Sequence, residues 1–133
     1  MDNFFKKQIL LVISPHADDD VFGCAGTIAK VKDLGGKVYV MLISIGDLKQ
    51  YYAKGKIIKA STREKEFTKT MKFLGVDGYD IIFKDTYKHL RLDTIPRREL
   101  IAVIERDSRI SLEKIKPTIV ALPSISYNQD HEA

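Results

Sequence analysis

The sequence of 133 residues has only one cysteine and no long apolar run, and each of these features excludes a class of protein. One cysteine cannot form a disulfide within the chain, so a disulfide-stabilised secreted scaffold is excluded and a reducing compartment is expected. No apolar run approaches the roughly 18 residues that a membrane-spanning helix needs, and the N-terminus lacks the small-residue cleavage site of an export signal. We therefore expect a cytoplasmic protein without a transmembrane segment.

The sequence also lacks internal repeats, low-complexity tracts and linkers, which predicts a single domain over residues 1–133. Its net charge is +4, but the basic residues are scattered and do not form a stripe interleaved with aromatic side chains. This pattern argues against a nucleic-acid partner and is compatible with an anionic substrate. Hydrophobic residues make up 44% of the chain, which is enough to bury a core.

Apolar runs and helical periodicities alternate along the chain. The predicted strands cover residues 8–14, 36–45, 79–85 and 118–124, and the predicted helices cover residues 22–34, 61–76 and 96–116. The first two strands are continuous apolar runs, as expected for strands that are buried on both faces. Ser61 and Glu64 have the spacing of a capping box at the start of the second helix. The alternation predicts an α/β fold, a Rossmann-like open parallel sheet sandwiched by helices.

Clusters of polar residues follow three of the predicted strands, where an open parallel sheet places its ligand site. They are residues 16–20, Asp47 and residues 128–131. Three adjacent carboxylates repel one another unless a cation or a proton relieves them, and a metal ion is the obvious cation. A histidine and a carboxylate three positions on can reach one ion, and His131 can supply the third protein ligand of an open catalytic zinc site. Because residues 18 and 19 point in different directions, one would bind the ion and the other would act as a base.

Two other interpretations compete with the metal site. The three aspartates precede a helix and could favour its N-terminal dipole, which explains one of them but not three together with a histidine. A phospho-acceptor receiver domain also holds magnesium with an acidic pair after its first strand, and Asp85 could mimic its acceptor. That fold would need a Lys-Pro pair after a fifth strand, which we do not find. A histidine in the acidic turn also fits zinc better than magnesium.

The segment "SPHADDDVFGCAGTIAK" resembles the N-terminal signature of the PIG-L/LmbE-like zinc-dependent N-deacetylases, usually written (A/P)-H-P-D-D-E. The segment "NQDHEA" is similar to the second motif of that family, usually H-x-D-H. "STREKEFTKTMKFLGV" resembles the R-x-x-E helix of the family, which ends in L-G-V, and "MLISIGD" lies where members have a strand ending in a T-(N/D)-G turn. The resemblance covers essentially the whole chain, with the motifs in the same order.

The resemblance implies a zinc-dependent deacetylase that acts on an N-acetylglucosamine-type sugar or its conjugate. The family's zinc ligands match His16, Asp19 and His131. Asp18 matches the general base that deprotonates the zinc-bound water for attack on the acetamide carbonyl. Arg63 matches an arginine near the polar or anionic end of the substrate.

The sequence departs from the family pattern at several positions. Ala17 replaces a proline, and Asp20 replaces a glutamate that is one methylene longer. Asn128 occupies the position of the histidine that polarises the carbonyl oxygen, so its amide can donate a hydrogen bond but carries no charge. Asp130 is implied to orient a ligand or the catalytic histidine. A fragment or a degenerate member that binds metal or sugar without turnover is therefore the alternative, and a magnesium-binding receiver-like domain is a further one.

Three further expectations concern parts of the chain outside these motifs. Members of the family are usually longer, so we expect a C-terminally short domain whose bare sheet edge could favour a homo-oligomer. His89 has no partner at metal-ligand spacing and is predicted to be a loop residue. Tyr51 and Tyr52 are predicted to pack within their loop, with a role in lining the substrate site as the alternative.

Overall fold

Six strands and six short or medium helices make up the structure, a computed structural model that describes residues 2–50 and 54–133. The strands are β1 (Ile9–Ser14), β2 (Lys37–Ser44), β3 (Leu48–Lys49), β4 (Ile57–Ile58), β5 (Gly78–Phe83) and β6 (Ile119–Ala121). The helices are α1 (Asp2–Phe5), α2 (Asp19–Asp33), α3 (Ala60–Leu74), α4 (Arg97–Ala102), α5 (Leu112–Ile115) and α6 (Gln129–Glu132), with a 3₁₀ turn at Leu92–Thr94 and a π-helical segment at Val103–Asp107. Tyr51 and Tyr52 lie outside the described residues.

Four parallel strands form the main sheet in the order β5-β2-β1-β6, and β3 pairs with β4 in a separate antiparallel ladder. The chain moves from β1 to β2 and on to β5 in one direction, and it then returns to place β6 on the opposite side of β1. The connections therefore reverse between β1 and β6, and this reversal opens a crevice beyond the carboxyl ends of those two strands. The predicted α/β fold with a parallel sheet is confirmed.

Strand β1 is buried on both faces, because successive side chains of a strand point to opposite sides of the sheet. Leu10 and Val12 join the core that packs against α2 and α3, whereas Leu11 and Ile13 join the core on the other face. All four side chains are at most 7% exposed. The end of β1, where the polar cluster begins, is therefore held from two sides.

Residues 96–116 do not form the single helix predicted from their periodicity. The helical segment is interrupted after Asp107, because Ser108 and Arg109 are drawn to the carboxylate of Asp80 on β5. The Ser108 hydroxyl donates to Asp80 Oδ2 over 2.7 Å, and the backbone N–H of Arg109 donates to the same oxygen over 3.3 Å. A tertiary contact has overridden the local helical preference.

Three predicted boundaries also differ from the structure. The fourth strand ends at residue 121 instead of 124, and α2 begins at Asp19 instead of about residue 22. The capping box of Ser61 is absent, because α3 begins at Ala60 and the backbone N–H of Ala60 donates to Asp47 Oδ1 over 2.8 Å. Lys59 donates to the other oxygen of Asp47 over 2.9 Å. Asp47 thus serves the start of α3 and does not join the polar cluster after β1.

Within the described ranges, each helix is too short or too polar to cross a lipid bilayer.

Candidate metal centre

The turn after β1 and the short helix α6 bring His16, Asp19 and His131 together. Asp19 Oδ2 lies 3.3 Å from His16 Nδ1 and 3.2 Å from His131 Nε2. One potential ligand atom from each residue lies within 4.8 Å of the other two. Two imidazole nitrogens and one carboxylate oxygen form the donor set of an open catalytic zinc site, which keeps a further position for water or substrate. The residues present therefore fit the metal that the sequence predicted.

His16 is held in one orientation by the carboxylate of Asp130. The ring of His16 is buried, and its Nε2 lies 2.8 Å from Asp130 Oδ2. The other oxygen of that buried carboxylate accepts from the backbone N–H of Leu92 over 2.8 Å. Both ring nitrogens face a carboxylate, but a metal ion on Nδ1 would leave the ring proton on Nε2, where it would donate to Asp130. Asp130 thus contacts the candidate ligand His16 at the ring nitrogen that points away from Asp19.

The backbone of the acidic turn places Asp18 and Asp19 differently. The backbone N–H of His16 donates to Asp19 Oδ2 over 3.2 Å, which turns Asp19 toward the cluster. Asp18 occupies the N-cap position of α2, but its side chain makes no capping hydrogen bond and is exposed. Helix capping therefore does not account for the side chain of Asp18.

Asn128 forms the start of α6 and so positions the last candidate ligand. Its Oδ1 accepts from the backbone N–H of Asp130 over 3.0 Å, which leaves the side-chain NH₂ group as a donor. Ser126 Oγ lies 3.3 Å from His131 Nδ1 and accepts from the backbone N–H of Asn128. The Nε2 atom of His131 is the one that faces Asp19.

Asp20 is, with Asp130, a deeply buried carboxylate near the cluster. Its side chain is 1% exposed, and neither oxygen has a hydrogen-bond partner among the described residues. Burial raises the pKa of Asp20 to about 6, and the neighbouring charges of Asp18 and Asp19 add to that rise. The carboxyl group lines a small cavity of about 70 Å³ together with Arg63 of α3.

His89 lies in the turn that follows β5, as predicted, but it is buried and has two side-chain partners that the sequence did not indicate. Its ring is 4% exposed, and its Nδ1 and Nε2 atoms lie 3.1 Å from Ser44 Oγ and 2.8 Å from Arg63 Nη1. The rings of His89 and His16 meet edge to face, with centroids 5.5 Å apart. Burial lowers the pKa of His89 to about 4, and Arg63 and His16 add to the effect. Arg63 is linked to the ligand cluster through this ring.

An open groove of about 430 Å³ lies beside Asp19 and His131. Its walls include Phe22, Cys24 and Leu122, and the side chains of Phe22 and Leu122 are 88% and 67% exposed. The groove is large enough for part of a sugar-sized ligand and reaches the candidate metal ligands from the surface.

The fold and the cluster define an α/β protein with a candidate metal centre at the topological switch point of its sheet. Comparison with known families agrees with this description. The chain matches the profile of the PIG-L family, described as GlcNAc-PI de-N-acetylase, over residues 11–133. The chain belongs to this family, and the resemblance stated from its motifs is confirmed.

Several solved structures share the fold, and three of them illustrate this. The conserved protein TT1542 from Thermus thermophilus superposes with a TM-score of 0.69 at 24% identity, over 94% of this chain and 50% of its own. The 4-carboxy-2-hydroxymuconate hydratase GalB from Pseudomonas putida gives 0.69 at 21%, over 93% of this chain and 51% of its own. The N,N'-diacetylchitobiose deacetylase from Pyrococcus horikoshii gives 0.65 at 25%, over 93% and 45%.

The chain thus spans about half the length of each of these structures. The first two likenesses establish the fold alone, and the hydratase GalB illustrates that this fold is not confined to deacetylases. No curated protein matches the chain.

Proposed function

We propose that this chain carries the metal-binding and substrate-binding residues of a zinc-dependent N-deacetylase. Its substrate would be an N-acetylglucosamine-type sugar or a conjugate of one, hydrolysed to acetate and the free amine. Membership of the PIG-L family supports this proposal, as does the likeness to the N,N'-diacetylchitobiose deacetylase. The observation that carries it is the position of Asp19 Oδ2, which lies 3.3 Å from His16 Nδ1 and 3.2 Å from His131 Nε2.

The same three residues would hold the zinc ion, and Asp130 would keep His16 in the tautomer that binds it. When bound, the ion would supply Lewis-acid chemistry that polarises the acetamide carbonyl and lowers the pKa of a water molecule. The remaining parts of the mechanism belong to residues of this chain.

Asp18 is proposed as the general base. Its exposed carboxylate adjoins a candidate ligand and is not engaged in capping α2, so it can accept a proton from the attacking water. The same carboxyl group would return that proton to the nitrogen of the leaving amine as the C–N bond breaks. One water is consumed, and acetate and the amine are released.

Asn128 and Arg63 are proposed to act on the substrate. The free NH₂ group of Asn128 would donate a hydrogen bond to the carbonyl oxygen, where negative charge develops. An amide has no positive charge, so this stabilisation is weaker than that from a protonated histidine. Arg63 would bind the polar or anionic end of the sugar conjugate.

The uncharged Asn128 also favours a second candidate function, a family member that binds metal and sugar without turnover. Zinc content and acetate release distinguish the two functions. We expect about one zinc per chain and acetate from N,N'-diacetylchitobiose or another N-acetylglucosamine conjugate. Zinc binding without acetate from any such conjugate would support the non-catalytic member, and absence of zinc would contradict both.

Replacing Asp18 or Asp19 with Asn tests their proposed roles by the same two measurements, and Asp33→Asn is the matched control. It makes the same chemical change at the exposed far end of α2, remote from the cluster, and should leave both zinc content and rate unchanged.

A further inference from the structure

We propose that His89 is a positioning residue that fixes the guanidinium of Arg63 for substrate binding. This inference rests on the proposed function, because Arg63 is assigned there to the substrate. His89 lies outside the motifs of the sequence analysis. It is buried against both Arg63 and the candidate ligand His16.

The direction of the hydrogen bonds around His89 follows from the chemistry of its neighbours. A guanidinium has donors and no acceptor, so His89 Nε2 must accept from Arg63 Nη1 over their 2.8 Å contact. A neutral ring then carries its proton on Nδ1, which donates to Ser44 Oγ at 3.1 Å. The Ser44 hydroxyl in turn donates to the carbonyl oxygen of Pro15 over 3.2 Å.

These hydrogen bonds form one series, with each donor pointing the same way, from Arg63 to the peptide that precedes His16. Each member has a single arrangement that satisfies both neighbours, because the carbonyl can only accept and the guanidinium can only donate. This hydrogen-bond series therefore links Arg63, which is proposed to bind the substrate, with the turn that carries the candidate metal ligand His16.

His89, in the middle of this hydrogen-bond series, is tightly packed. A Cβ atom built on Gly46 would lie 2.6 Å from His89 Cβ, so the turn after β2 packs directly against the histidine. The backbone N–H of His89 donates to the carbonyl of Asp85 over 2.9 Å, and its ring packs edge to face on His16. Arg63 has a long and only partly buried side chain, which would otherwise sample many rotamers. His89 restricts that sampling before the substrate arrives.

Two substitutions separate positioning from a purely structural role. His89→Gln places an amide group near the former Nε2, where it can still accept from Arg63. His89→Asn places an amide near the former Nδ1, which keeps the contact with Ser44 and loses the acceptor for Arg63. Both replacements remove the imidazole, so each controls for the loss of ring packing in the other.

We expect His89→Asn to raise KM for N,N'-diacetylchitobiose about 10-fold with kcat changed less than about 3-fold, and His89→Gln to stay near wild type. In an Arg63→Ala background, His89→Asn should add no further loss. Both single variants should keep one zinc per chain. Equal effects of His89→Asn and His89→Gln, or additive effects of His89→Asn and Arg63→Ala, would overturn the proposal.

The inference can be tested separately from turnover. The dissociation constant for the same sugar, measured by calorimetry on the zinc-loaded chain, should follow the order expected for KM. The ¹⁵N shifts of His89 in the wild-type chain should show a protonated Nδ1 and an unprotonated Nε2. The opposite tautomer, or sugar binding equal in the two variants, would overturn the role of His89. Absence of acetate release alone would overturn only the proposed deacetylase.

Discussion

His16 and His89 are two buried histidines in edge-to-face contact, yet their ring nitrogens face opposite kinds of group. The nitrogens of His16 face two carboxylates, from Asp19 at 3.3 Å and Asp130 at 2.8 Å. Those of His89 face a hydroxyl group and the guanidinium of Arg63. Negative charge around His16 attracts a cation, whereas Arg63 repels one from His89. Neighbouring charge, and not burial, therefore separates a candidate ligand from a positioning residue.

The largest expected effect comes from removing the histidine on the carboxylate side. His16→Ala leaves only Asp19 and His131, and we expect zinc affinity to fall about 100-fold or more. His89→Gln should retain the affinity of the wild-type chain. Competition with a chromogenic chelator measures both constants. Similar losses of zinc affinity in the two variants would contradict the different roles proposed for His16 and His89.

The second prediction separates the two adjacent aspartates. Asp18→Asn cannot accept a proton, so acetate release should fall about 100-fold or more while zinc stays bound. Asp19→Asn weakens a charged ligand and should lower zinc affinity and rate together. Zinc content and initial rates are measured side by side on both variants. Loss of zinc from Asp18→Asn with retention in Asp19→Asn would reverse the two roles.

The third prediction concerns the carboxylate behind His16. In Asp130→Asn, the amide oxygen can still accept from the backbone N–H of Leu92, but the amide NH₂ group would face His16 Nε2. The ring proton would then move to Nδ1, where zinc should bind, so we expect zinc affinity to fall about 10-fold to 100-fold. Chelator competition gives the affinity, and thermal unfolding of the metal-free chain verifies that the fold persists. Unchanged zinc affinity would show that Asp130 does not orient His16 for zinc binding.

The smallest expected effect is the dependence of stability on pH through His89. Its pKa is lowered from 6.5 to about 4 by burial, so between these values the folded chain binds fewer protons than the unfolded chain. The free energy of unfolding should therefore fall as the pH falls through this window. The raised pKa of Asp20 acts in the opposite direction and is common to wild type and His89→Gln. The difference between the two proteins isolates His89.

Denaturant unfolding with a chelator present, at several pH values across that window, measures this difference. The unfolding free energy of wild type should decrease more steeply toward acid than that of His89→Gln. Parallel curves would show that His89 has an ordinary pKa in the folded chain.

Features carried by contiguous residues could be predicted from the sequence. The run at residues 8–14 predicted a strand buried on both faces, and the acidic turn that follows it lies at the carboxyl end of β1 as expected. More than a hundred residues separate His131 from His16. Their proximity could be predicted only because the segment of His131 resembles a second motif of the family, in the same order along the chain.

Features produced by distant partners could not be predicted. His89 is fixed by Arg63, Ser44 and Gly46, which come from separate parts of the chain and have no common spacing. The break after Asp107 depends on a carboxylate of β5, and the start of α3 depends on Asp47. In each case a polar side chain satisfied a backbone or side-chain group that local periodicity does not describe.

Anomalous diffraction from crystals of the zinc-loaded chain would determine whether His16, Asp19 and His131 bind one zinc ion. We expect one anomalous peak at about 2.0–2.2 Å from His16 Nδ1, a carboxylate oxygen of Asp19 and His131 Nε2. A peak bonded to His16 Nε2 or to His89, or no peak among the three residues, would contradict the proposed site.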